Sequence, residues 1–183
     1  MVDLCAATQE ERLAPRPGDD LVRADVVMDR AFNLPAPPTT VWPWLVQLGK
    51  RRAGWYLPRA VERLVPPRRR ALRRIEPSFL DHHVGDVIPD WGGADATFTL
   101  AAIDEPSVLL YTSRRGRTDV SWCLQLAPTS GGGTPGTRVH LRLRLGPVRR
   151  RRIAEVGGGL FDALTIAGLA AGLRERLSDV GGQ

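Results

Sequence analysis

His82 and His83 are adjacent, and that spacing argues against a metal centre. Neighbouring side chains diverge in a strand and stand about 100° apart on a helix, so two of them do not close on one ion. No H-x-x-x-H or C-x-x-C spacing supports them, so neither metal nor cofactor is expected. Asp81 and Asp86 read as turn residues. His140 falls in the outward register of a strand, between Arg138 and Arg142, which makes it a poor general base. No Ser-His-Asp, Cys-His or phosphate-loop pattern occurs, and no catalytic residue is assigned. Cys5 and Cys123 form no disulfide framework, which suits a reducing, cytoplasmic setting.

What remains is apolar chemistry. The chain has five tryptophans. Small-molecule pockets are mostly apolar, with a few placed polar groups. The inward registers offer Trp44, Leu48, Trp55, Trp91, Phe98, Tyr111, Trp122, Phe161 and Leu164 as candidate ligand-binding residues. Tyr111, Gln47 and Asp162 are the polar candidates beside them.

The elements that must position these side chains follow from periodicity. Residues 24–35 read as a first strand ending in a Pro-marked corner. Val41, Trp44, Leu45 and Leu48 share one face of a short helix, with Pro37 and Pro38 in its first turn and Gly49 at its end. Pro43 sits inside that helix and should kink or tighten it. Residues 57–64 read as a second short helix, stopped by Pro66 and Pro67.

Strands are expected over 86–91, 96–103, 107–113, 120–126 and 138–145. The last two alternate most cleanly. Val120, Trp122, Leu124 and Leu126 face one way, and Ser121, Cys123 and Gln125 the other. Val139, Leu141, Leu143 and Leu145 oppose Arg138, His140, Arg142 and Arg144, whose face is expected to be wet. Residues 130–136, SGGGTPG, read as a flexible loop. A long helix follows, from about residue 148 or 151 to 179. A sheet with one apolar face needs a cover, and only this helix is long enough. The expected fold is α+β: a curved antiparallel sheet wrapped around the C-terminal helix, with the two short helices closing one end.

The corner and helix APPTTVWPWLVQLG at 36–49, the Gly54-Trp55-Tyr56 segment and Val84-Gly85-Asp86-Val87-Ile88-Pro89 resemble the SRPBCC group of the START and Bet v 1-like superfamily. The resemblance runs over about residues 24–178 and is nearest to the small bacterial proteins called polyketide cyclase/dehydratase-like or lipid-transport-like. It implies the helix-grip fold and a hydrophobic cavity between sheet and helix. That superfamily shares a cavity rather than a reaction.

The formal charge of +6 is carried almost wholly by arginine, with Lys50 the only lysine. The clusters at 68–74 and 149–152 lack interleaved aromatics and any nucleic-acid motif, so no sequence-specific nucleic-acid partner is expected. Residues 156–173 are long enough to touch the lower limit for a membrane span, but Asp162 and Gly157-Gly158-Gly159 argue against one. Residues 1–22 lack an apolar signal segment and read as a poorly ordered leader; residues 23–180 read as one domain. The expected function is binding or carriage of a hydrophobic small molecule, lipid- or polyketide-like, without catalysis. The alternatives are a cyclase or dehydratase-like enzyme, or an accessory protein acting through its arginine-rich surface.

Overall fold

A computed structural model of the chain describes residues 5–93, 95–129, 135–148 and 159–181. Six strands form one antiparallel sheet in the order β1-β6-β5-β4-β3-β2. They are β1 (Val26–Leu34), β2 (Val87–Pro89), β3 (Thr97–Asp104), β4 (Val108–Arg115), β5 (Thr118–Thr129) and β6 (Gly136–Gly146). Each coincides with a strand expected from the alternation. Helix α1 spans Gln9–Leu13, α2 spans Pro38–Val46, and α3 is a single turn at Arg59–Glu62. Helix α4, Gly159–Gly181, packs across the concave face of the sheet. This is the helix-grip arrangement.

The inward parity of β5 and β6 follows the sequence pattern. Val120, Leu124, Leu126, Val139 and Leu141 are buried in the main core with Leu169, Ala170 and Leu173 of α4. Helix α2 begins on Pro38 at its first position and tolerates Pro43. Gly49 ends this segment at a φ of 151°, a left-handed value that suits glycine. The second short helix, expected over 57–64, is shorter, because only the turn of α3 forms before Pro66.

The outer face departs from expectation. It is not wet: residues 5–22, read as a poorly ordered leader, lie across it as a strap. Thr8 and Glu11 form a capping box that starts α1, and Ala6 bridges to Arg30 of β1. Cys5 is buried in the main core. Arg142, in the outward register of β6, is buried because the strap supplies its partners. Its guanidinium donates to Asp29 Oδ1 at 2.8 Å, Asp19 Oδ2 at 2.8 Å, and the carbonyls of Glu11, Arg12 and Ala14. Arg138 donates to both carboxylate oxygens of Glu11 at 2.8 Å. That pairing is the main reason the Glu11 carboxyl is held down at about 2. Burial works against the Asp29 charge, but His140 and Arg142 prevail and lower its pKa.

His140 is therefore outward, as expected, yet buried, with Nε2 3.1 Å from Asp29 Oδ1. Cys123 faces outward and is also buried, 3% exposed, beneath this strap with Val108 and Leu110. Burial pushes its thiol up to about 11.

Three further expectations meet the limits of the described residues. The loop over 130–136 falls largely outside them, as do the arginine run at 149–152 and the start of the C-terminal helix. Among the described residues no helix is long and apolar enough to cross a membrane.

Candidate functional site

A cavity of about 560 Å³ opens between the concave face of the sheet and the first half of the described part of α4. Its floor is made by inward residues of the strands: Met28 of β1, Phe98 of β3, Val120 and Trp122 of β5, and Leu143 and Leu145 of β6. Thr165 and Ile166 of α4 form the opposite wall. Leu48, Gly49 and Trp55, which follow α2, complete the lining with residues 88–92, whose exposed Trp91 marks the mouth.

The aromatic side chains hold one another in place. Trp55 stacks on Trp122 with ring centroids 6.4 Å apart and planes 23° from parallel. The indole N–H of Trp55 donates to the Thr165 carbonyl at 3.3 Å, which ties the loop after α2 to α4. Trp91 meets Trp55 edge-on at 5.8 Å and is 51% exposed at the mouth. Phe98 packs 5.6 Å from Trp122. Such edge-on and offset contacts suit the aromatic quadrupole.

The charged residues of the lining sit at the rim and satisfy each other. The Arg115 guanidinium donates to the Asp90 carboxylate and lies 5.2 Å above the Phe98 ring. Lys50 Nζ donates to the Asp90 carbonyl at 2.9 Å, steadying the same loop.

Five of the nine candidate side chains thus line the cavity: Leu48, Trp55, Trp91, Phe98 and Trp122. Trp44 is buried behind it, edge-on to Tyr56 at 5.7 Å. Tyr111 is buried behind Trp122, its centroid 5.9 Å away. Leu164 points to solvent and is 67% exposed, because α4 turns Ile166, Leu169 and Leu173 toward the sheet instead. The side chains of Phe161 and Asp162 lie outside the described residues.

Gln47 is not a cavity group. It donates to Tyr56 Oη at 3.0 Å and the Arg74 carbonyl at 3.2 Å, and accepts from the Glu76 N–H at 2.9 Å. It fastens residues 74–76 to the end of α2.

The histidine overlooked by register arguments is His82. It is buried, and its Nδ1–H donates to Asp86 Oδ2 at 3.1 Å while Nε2 accepts from the Tyr111 hydroxyl at 3.3 Å. Burial lowers its pKa, and the Arg52 charge lowers it further. The ring is therefore held neutral behind the aromatic wall. Asp86 also accepts from the His83 N–H, the turn role expected of it. No group of His, Cys, Asp and Glu that could hold a metal occurs among the described residues.

No family model matches the sequence, and no curated protein matches it. Solved structures do match. Protein MLL2253 from Mesorhizobium loti superposes with a TM-score of 0.51 at 18% identity, over 84% of this chain and 98% of that one. A protein from Rhodobacter sphaeroides gives 0.50 at 18% identity, over 83% and 93%. Protein CV1439 from Chromobacterium violaceum gives 0.50 at 17% identity, over 81% and 97%. At these identities the likeness is one of fold: an α+β chain with a curved antiparallel sheet gripping its C-terminal helix.

Proposed function

We propose that the chain is an SRPBCC-type protein that binds or carries a hydrophobic small molecule, lipid- or polyketide-like, without catalysing its conversion. The single observation that supports this reading is the apolar cavity of about 560 Å³ walled by Trp55, Trp122, Phe98 and Ile166. Its volume lies within the ordinary range for ligand pockets, and among the described residues its charged lining residues, Asp90 and Arg115, are engaged with each other at the rim. An apolar ligand entering it exchanges water contact for aromatic contact and leaves no buried charge unpaired.

The test is titration with the neutral fluorophore N-phenyl-1-naphthylamine. Binding should raise probe emission and quench tryptophan. Leu143→Trp should fill the space and weaken binding at least about tenfold, with a stability change of less than about 1.5 kcal/mol, because an open cavity accepts the added ring. No probe binding by the parent, together with severe destabilisation by Leu143→Trp, would mean that these walls enclose core rather than a binding site.

A further inference from the structure

We infer that residues 61–70, VERLVPPRRR, form a docking surface for an anionic lipid bilayer, on a part of the molecule separate from the cavity.

The geometry begins with Glu62. Its carboxylate is buried and held by Arg176 at 2.5 Å and Arg73 at 3.0 Å, so this side of the α3 turn faces α4. Leu64 lies in the turn that follows α3, its N–H donating to the Val61 carbonyl at 3.0 Å, and it is turned away from the protein. It is 86% exposed, the most exposed of the large apolar side chains among the described residues. Val61, three residues earlier, shares that outward face and is also exposed. Pro66 and Pro67 follow in an exposed turn. Arg70 donates to the carbonyls of Val65 and Arg63, which folds residues 66–70 back against the helical turn. The result is a rigid projection with an apolar tip.

Its charge is uncompensated. The nearby carboxylates are taken by other arginines: Glu62 by Arg73 and the buried Arg176, Asp179 by Arg59 and Arg73, and Glu175 by Arg73. Arg63, Arg68 and Arg69 are exposed and make no ion pair among the described residues. Arg70 bonds only carbonyl oxygens. Four exposed cations thus lie within six residues of an exposed leucine. Isolated charges would suit any polyanion, and stacking aromatics would suit nucleic acid. An exposed apolar side chain among exposed arginines suits a bilayer, where leucine enters the headgroup boundary and the arginines meet lipid phosphates.

Co-sedimentation with vesicles tests this. Phosphatidylcholine vesicles containing about a quarter phosphatidylglycerol should bind the protein, pure phosphatidylcholine vesicles should not, and added salt should weaken the binding. Arg68→Gln should weaken it about fivefold, and Arg68→Gln with Arg69→Gln about twenty-five-fold. Leu64→Ser should weaken it about tenfold, and Leu64→Trp should show a blue shift on the anionic vesicles. Arg117→Gln removes an equal charge from the exposed β4–β5 turn and should leave binding unchanged. The inference is overturned if Arg117→Gln weakens binding as much as Arg68→Gln, if Leu64→Ser has no effect, or if a DNA duplex binds more tightly than the vesicles. All four positions are exposed, so circular dichroism should report an unaltered fold.

Discussion

Arg142 and Asp19, 123 residues apart in the chain, meet at 2.8 Å over the outer face of the sheet. The contact turns a strand face patterned for water into a buried one. Arg142 could not be buried without partners, because an unpaired interior charge is strongly unfavourable. The strap and the arginines of β6 are therefore one structural unit.

Cys123 reports on that unit. The native thiol should react with a maleimide far more slowly than the same thiol in unfolded chain, both because it is covered and because its pKa is raised to about 11. Asp19→Ala should accelerate labelling about tenfold or more by easing local opening of the strap. Equal rates for native and unfolded protein would refute the covering role.

Acid should release the strap at Glu11. Its pKa is lowered from 4.5 to about 2, so its contribution to stability is fully present above 4.5 and is lost as the pH falls toward 2. Denaturant titrations over this window should show the loss in the parent and a flatter profile in Glu11→Gln. That variant should be about 1–3 kcal/mol less stable than the parent at neutral pH. An unchanged acid limb would assign the effect to other carboxylates.

His82 acts in a higher window. Its folded pKa is depressed, so the unfolded chain takes up a proton near 6.5 while the folded chain does not. Stability should fall as pH drops below 6.5, and His82→Gln should remove that slope. Tyr111→Phe deprives buried Nε2 of its donor and should cost about 1–3 kcal/mol at neutral pH. A His82 proton titrating near 6.5 in the folded protein by NMR would contradict the burial argument.

Two glycines of α4 should respond differently to alanine. A Cβ on Gly172 would lie 2.7 Å from the Leu57 nitrogen and the Tyr56 carbonyl carbon, backbone atoms that cannot swing aside. Gly172→Ala should cost about 3 kcal/mol or more. A Cβ on Gly168 would meet only the end of the Leu57 side chain at 2.8 Å, which can rotate. There the gain in helix propensity, about 1 kcal/mol, offsets the adjustment. Thermal melts that rank the two variants the other way would overturn this account of the helix packing.

The fold was legible where one physical signal dominated. Alternation in β5 and β6 assigns Trp122 and Leu143 inward and Cys123 and Arg142 outward, and the register pairs Trp122 with Leu143 as that parity requires. Parity does not say what covers a face. The strap has neither period, and its one local signal was Thr8 followed three residues later by Glu11. The cavity wall was legible in its aromatic residues but not in α4, whose apolar surface is too broad to give a phase. Leu164 and Ile166 are both apolar and two residues apart, so they face nearly opposite ways, and only packing chooses between them. Arg176 was hidden for a different reason. It is fully buried because the carbonyls of Leu57, Leu72 and Gly172 and the carboxylate of Glu62 converge on it, a set scattered over the chain.

The strap also gives assembly an order. Arg142 finds its partners 113 to 131 residues earlier in the chain. Closing so long a loop is entropically costly, and nothing rewards it until β6 is in place. The β4–β5 hairpin turns through Gly116 and Arg117 alone and faces no such barrier. Hairpins should therefore form early, β1 should join β6 next, and the strap should dock last. In pulse-labelling during refolding, protection of Cys123 should lag behind recovery of tryptophan emission. A nascent chain would thus pass through a stage with its inner core closed while its outer arginines and thiol still face water.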